Sequence, residues 1–329
     1  MKVTRENNSY QISWDKSEAP EGSILYVSEK PEQDSKEVEV MQIRQGNHYA
    51  EYPVQAEYPH PFFIIKKPTG EKLTAAERIL TVPGVFNFRD LGGYLSRTGK
   101  RVKWGKLFRS GSLGAIKPEG EKVIHDLNIR WICDLRSAAE VKVQQTPPMD
   151  GILNRNIPIG AAKNQLDGPK NIDIPSDHSV YEPLMGDSYK VFIQSTAEYK
   201  QIFEDLLQKD GIPFLFHCTA GKDRTGILAA LTLYLLDVPE QTIFEDYELT
   251  NQFTDQILNE VGSLANSFSN QADQIPLETF RPMAEARPAY LKIAFQEMRK
   301  SAGSIDAFLE ERVGIDAKMK EQLQALLLE

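Results

Sequence analysis

The chain has 329 residues, enough for one large unit and a small one whose cores need neither disulfides nor structural metal. Its 41% hydrophobic and 26% charged residues, with no low-complexity tract, exclude a disordered or fibrous chain. A net charge of −9 argues against nucleic acid or anionic membrane as partner, so any anion site must be local.

The opening residues, MKVTRENNSYQISWD, lack the apolar core of a secretory signal, and no run of about 18 apolar residues occurs. A cytoplasmic location without stable membrane insertion is expected, or secretion if a signal has been removed. Two cysteines, Cys133 and Cys218, make no disulfide framework, and five scattered histidines have no metal-ligand spacing. Neither a metal nor a cofactor is expected.

From about residue 8 to 66, the segments SYQISWD, SILYVSEK, EVEVMQI, HYAEYPV and PFFIIKK alternate apolar and polar residues between Pro, Gly, Asn and Asp turns. They predict a small all-β sandwich over 1–78. Its strand order and spacing resemble a fibronectin type III or immunoglobulin-like module, with fewer clear strands than the usual seven. Such a module is a structural appendage or a dock for a protein partner. Lys72–Gly84, KLTAAERILTVPG, is expected to link it to the rest.

Over 79–329 the pattern becomes α/β. KLFRSG and WICDLRS are strand ends feeding loops, SAAEVKVQQ starts a helix with Ser137 as N-cap, and SYKVFIQSTAEYKQIFEDLLQKD predicts one helix burying Val191, Phe192, Tyr199, Ile202, Phe203 and Leu206. IPFLFHC is a strand buried on both faces, and TGILAALTLYLLDV is a helix stopped by Pro239. After about residue 240 the pattern is helical, and the amide-rich YELTNQFTDQILNEVGSLANSFSNQADQ is expected to form a mobile cover.

A strand, a short loop and a helix N-terminus gather backbone N–H groups around an anion. In PFLFHCTAGKDRTGIL the amides of Thr219, Ala220, Gly221, Lys222 and Asp223 are placed to do so, and the helix begins near Arg224. Those donors stabilise a Cys218 thiolate as nucleophile. Arg224 supplies a planar fork for two phosphoryl oxygens, and Thr225 a hydroxyl for the leaving sulfur. His217 either tunes the loop through its backbone or makes an ordinary core hydrogen bond. The chemistry implied is phosphoryl transfer to sulfur and then to water. A nucleotide-binding loop needs G-x4-G-K followed by Ser or Thr, and Lys222 is followed by Asp223.

HCTAGKDRTG carries the H-C-x5-R signature, followed by Thr, and is similar to the loop of bacterial cysteine-dependent tyrosine phosphatases, H-C-x-x-G-K-D-R-T-G. FNFRDLGGY, GKLFRSGSL, CDLRSAAEV and RPAYLKIAFQEMRKSAGSIDAFLEERVGI resemble that family in the same order, over roughly residues 81–329. The resemblance implies a cysteine-phosphatase-like, mostly parallel sheet flanked by helices, with a helical C-terminal part. It also implies a metal-independent phosphomonoesterase. The competing class, a catalytically dead phosphate-binding module, would be expected to have lost one of Cys218, Asp223, Arg224 or Thr225.

Many tyrosine phosphatases take their general acid from a Trp-Pro-Asp loop, and this chain has no such string. Asp223, the in-loop carboxylate the resemblance points to, is the first candidate for general acid and base. Asp134 of CDLRS is the second, at a strand end on the rim where α/β sites form, unless it only holds the loop. Arg89 and Asp90 shape the site or only the structure. Lys222 resembles the loop of a phosphoinositide phosphatase and Asp223 that of myotubularins. Against a committed lipid enzyme stand the acidic chain and the lack of an evident basic amphipathic helix, so phosphotyrosine protein is the expected substrate, with a phosphoinositide as the alternative. Cys133 is either a small core residue or a resolving thiol that forms a reversible disulfide with Cys218.

Overall fold

The computed structural model describes residues 1–31, 36–55, 59–160, 177–208, 211–268 and 276–329. Seven strands, β1 (Lys2–Glu6), β2 (Ser9–Ser13), β3 (Ile24–Ser28), β4 (Val38–Gln42), β5 (Tyr49–Pro53), β6 (Phe62–Lys66) and β7 (Lys72–Ala76), form two antiparallel sheets of order β1-β2-β5 and β4-β3-β6-β7. Alternation places Tyr10 and Ile12 of β2 with Leu25, Val27, Phe63 and Ile65 in one apolar cluster.

The sequence reading lacked two of these strands. β7 falls inside the expected linker because a turn with Gly70 at φ +86° and Lys67 N–H bonded to the Glu71 carbonyl returns the chain onto β6. Leu73 and Ala75 are then buried in alternation, and Trp104 from beyond the linker completes this core.

Five strands form the second unit: β8 (Arg89–Asp90), β9 (Leu107–Ser110), β10 (Trp131–Asp134), β11 (Leu153–Asn156) and β12 (Phe214–His217). Their order is β11-β10-β12-β9-β8, with β10–β11, β10–β12 and β12–β9 parallel and β8–β9 antiparallel. Every residue of β9, β10 and β12 is buried, as expected of strands covered on both faces. Phe108, Ile132 and Leu215 share a cluster with Ile124 of α1 (Pro118–Asp126). Trp131, Cys133, Phe214 and Phe216 belong to the larger opposite cluster.

That larger face carries most of the helices. After α2 (Ala138–Val143) come α3 (Tyr181–Phe192), α4 (Thr196–Leu206), α5 (Asp223–Leu235), α6 (Glu240–Glu248) and α7 (Thr254–Phe268). They are followed by α8 (Arg281–Ala284), α9 (Pro288–Ala302), α10 (Ile305–Ala307) and α11 (Ala317–Leu327). The single helix expected over 188–210 is two, α3 and α4. The break falls at Ser195, whose hydroxyl accepts the N–H of the distant Gly160 at 2.9 Å. Consequently Val191 is 48% exposed, while Tyr199, Ile202, Phe203 and Leu206 are buried.

In the expected mobile cover, Ile257 and Leu258 of α7 are buried against Tyr181, Phe280 and Ala284, so its first turns are anchored. Residues 269–274 of that segment lie outside the described residues. Among the described residues no helix is long and apolar enough to cross a membrane.

Candidate active site

The loop between β12 and α5 has its carbonyls tied from behind. The Cys218 carbonyl lies 3.1 Å from His217 Nδ1, and the Thr219 carbonyl accepts the Ser112 N–H at 2.8 Å. Asn87 Nδ2 donates to the Ala220 and Gly221 carbonyls at 3.0 Å each, and Arg109 Nη2 donates to Gly221 at 2.8 Å. In a trans peptide the next residue's N–H points the opposite way. The amides of Thr219, Ala220, Gly221 and Lys222 therefore turn forward together, and the unpaired first N–H groups of α5 follow them. Gly221 permits the turn: its φ is +66°, and a Cβ there would meet the Ser110 carbonyl oxygen at 2.3 Å.

Behind the loop stands a buried ion cluster. Asp246 accepts from Arg89 Nε at 3.2 Å, Arg109 Nη1 at 2.7 Å and the Tyr94 hydroxyl at 3.0 Å, and Arg89 also bonds Asn87 Oδ1. Burial alone would raise the Asp246 carboxyl, but the two guanidiniums bring it down to about 2. Arg89 thus acts on the loop through Asn87. Asp90 is further back, accepting the Gly92 and Gly105 N–H groups at 2.7 Å each.

Cys218 is 2% exposed at the start of the loop. Arg224, one residue into α5, places Nη1 and Nη2 on Glu140 Oε2 and Oε1 at 2.7 and 2.6 Å. Nη2 also lies 3.5 Å from the Thr219 hydroxyl, which leaves two of the five N–H donors for another ligand. Glu140 also takes the Thr219 hydroxyl at 2.7 Å and the Ser137 N–H at 2.9 Å, so it completes the capping box of α2 as well. Burial would raise its carboxyl, and Arg224 holds it at about 2. Burial opposes the charge of Arg224, and Glu140 outweighs that and raises its pKa. The Thr225 hydroxyl is fully buried and has no hydrogen-bond partner among the described residues.

Asp223, at the first position of α5, accepts the Tyr189 hydroxyl on Oδ1 at 2.8 Å and has the Lys222 ammonium 3.3 Å from the same oxygen. Lys222 itself is 0% exposed. Its ammonium donates to the Met283 and Glu285 carbonyls and lies 5.6 Å from the Tyr290 ring centre. Burial lowers its pKa against the opposing pull of Asp223. The Lys222 side chain thus turns into the protein, away from the face to which the loop amides turn.

Asp134 is engaged by Arg136, which favours its alternative reading as a residue that holds the loop. Both its oxygens take Arg136, at 2.9 Å from Nε and 2.7 Å from Nη2, and its carboxyl stays low despite burial. His217 lies between Asp134, at 3.8 Å, and Thr146, at 3.4 Å, and burial depresses its pKa. Cys133 is registered opposite Phe216, making Cys218 its diagonal neighbour. Both cysteines are free and buried.

Sequence reasoning missed Glu140, Tyr189, Asn87, Arg109 and Asp246. Glu140 had a signal, the Ser-x-x-Glu spacing of a capping box, but its partner is 84 residues away. Among the described residues no group of three His, Cys, Asp or Glu side chains is gathered to hold a metal.

Known proteins are similar to this chain in sequence. The triple specificity protein phosphatase PtpB of Mycobacterium tuberculosis is 26% identical over 275 residues, covering 75% of this chain and 98% of PtpB. A tyrosine-protein phosphatase of Nostoc commune is 28% identical over 166 residues, 50% of this chain and 55% of its own. Among solved structures, the core catalytic domain of the PP-IP phosphatase SIW14 from S. cerevisiae, in complex with citrate, is 21% identical. It covers 44% of this chain and 70% of its own with a TM-score of 0.26. The model of the tyrosine phosphatase family matches residues 80–329, and the chain belongs to that family.

Proposed function

We propose that the chain hydrolyses phosphotyrosine through a phosphocysteine on Cys218. The observation that carries this reading is the loop whose four consecutive carbonyls, from Cys218 to Gly221, are held behind, turning the following amides toward one space. In that space the phosphoryl oxygens meet the N–H groups of Thr219 to Arg224 and the remaining donors of the Arg224 fork. Cys218 Sγ bonds phosphorus as the aryl oxygen leaves, Asp223 protonates that oxygen, and water then releases phosphate with Asp223 as base. The unpartnered Thr225 hydroxyl is the donor available to the departing sulfur.

Assay of p-nitrophenyl phosphate tests the mechanism. Hydrolysis should survive chelator and vanish in Cys218→Ser; activity persisting in that variant would refute the phosphocysteine. The buried Lys222 ammonium weakens the case for a phosphoinositide, because that side chain was the cationic feature pointing to one. The name of the mycobacterial relative supports breadth beyond phosphotyrosine, and kcat/KM on phosphotyrosine, phosphoserine and phosphoinositide substrates ranks them. A tenfold advantage for phosphoinositide, about 1.4 kcal/mol, would reverse the substrate assignment.

Residues 1–78 are read as a fibronectin- or immunoglobulin-like module and 79–329 as the catalytic unit. The two antiparallel sheets with their own apolar cluster support that division. Docking a protein partner is the function assigned to the module, and two free cysteines suit a reducing, cytoplasmic setting.

A further inference from the structure

Two fully buried tyrosines meet at the loop from different helices, Tyr189 from α3 and Tyr247 from α6, with hydroxyls 2.6 Å apart. A hydroxyl has one proton to give. Tyr189 gives its proton to Asp223 Oδ1, so the short contact is Tyr247 donating to Tyr189. The Lys222 ammonium has three protons, and three acceptors surround it: the Met283 carbonyl, the Glu285 carbonyl and Asp223 Oδ1. None remains for a substrate oxygen. Two groups thus meet on one oxygen of one carboxylate: Tyr189 of α3, backed by Tyr247 of α6, and Lys222 of the loop, held by the Met283 and Glu285 carbonyls.

We infer that Tyr189, backed by Tyr247 and assisted by Lys222, is a positioning residue that assigns the two oxygens of Asp223, keeping Oδ1 as acceptor and Oδ2 as the site of the transferable proton. The inference rests on the reading of Asp223 as general acid. A proton on Oδ1 would face the Tyr189 O–H and the ammonium, two donors, whereas among the described residues no donor is placed on Oδ2. In the first half-reaction the Sγ–P bond forms, the P–O(aryl) bond breaks, and the Oδ2 proton moves to the leaving oxygen. In the second, Oδ2 takes a proton from water as the water oxygen bonds phosphorus and the S–P bond breaks. Asp223 ends protonated on Oδ2, ready for the next turnover.

Loss of the Tyr189 hydroxyl frees Oδ1 to take the proton and the carboxyl to rotate, so the deficit falls on proton transfer. The full-length chain is assayed on phenyl phosphate, whose leaving phenol has a pKa of about 10, and on dinitrophenyl phosphate, whose leaving group needs no proton. Asp223→Asn raises the dinitrophenyl-to-phenyl ratio of kcat/KM by about 10²-fold or more, the loss of a general acid. Tyr189→Phe raises it by roughly tenfold, with inhibition by inorganic phosphate, which reads the amide ring, within about twofold of wild type.

Tyr189→Phe strands the Tyr247 hydroxyl, so Tyr189→Phe/Tyr247→Phe, which removes both, is measured beside it and should show the same ratio. An Asp223→Asn variant with a raised ratio and both tyrosine variants at the wild-type ratio would overturn the positioning role and leave Asp223 as the acid. An Asp223→Asn variant at the wild-type ratio would overturn the general-acid reading and the positioning role together.

Discussion

Glu140 is the residue on which the arrangement of the site depends most directly. One carboxylate closes the capping box of α2, takes the Thr219 hydroxyl and grips both Nη groups of Arg224. Glu140→Gln keeps the box, since Gln serves at that position, but replaces one acceptor facing the guanidinium by a donor. The Arg224 fork then loses its setting, and kcat/KM for p-nitrophenyl phosphate is expected to fall by about 10²-fold, the scale of a displaced positioning group. The same variant gives a pH test. The Glu140 carboxyl stands at about 2 in the folded chain against 4.5 as its ordinary value, so the pair's stability is complete above pH 4.5 and lost as pH falls toward 2. Urea midpoints of wild type and Glu140→Gln should differ by a constant amount above pH 4.5 and converge below it.

At the scale of elements, the strand–loop–helix unit was legible because its apolar runs, glycine and cysteine lie within one short stretch. β12 is buried on all four residues, α5 opens at Asp223, and Gly221 alone has the φ and the space for the turn. Gly221→Ala places a methyl on the Ser110 backbone and forces an L residue to positive φ, a strain of about 1–3 kcal/mol. The loop escapes by moving, so phosphate inhibition and kcat/KM should each weaken by more than about tenfold while circular dichroism keeps its native form. Elements whose limits depend on distant partners were less legible. β7 reads locally as a linker because its pairing partner is needed to make it a strand, and the α3–α4 break depends on Gly160.

Across the whole molecule, Trp104 joins the two parts. Its side chain lies in the core of the seven-stranded part, its indole N–H donates to the Thr74 carbonyl at 3.1 Å, and Arg78 lies over it and over Tyr94. Gly92 and Gly93 have no side chain because a Cβ on either would sit 2.4 Å from Trp104. Trp104→Ala should cost about 3–5 kcal/mol, the range for truncating a buried Trp, and lower the urea midpoint. The kcat/KM on p-nitrophenyl phosphate at low urea should stay within about twofold, because the phosphate loop is tied down by Asn87 and Arg109 instead. The sequence by itself determined the order of the two parts, the strand–loop–helix and its Cys218, Asp223, Arg224 and Thr225, because these depend on local periodicity and on spacing within ten residues. Only the tertiary structure decided that Lys222 turns inward, that Asp134 is bound by Arg136, and that Glu140 and Tyr189 address the loop. Those outcomes depend on charges and hydroxyls brought together from segments as much as 84 residues apart, where burial leaves each polar group needing a partner that no local pattern names.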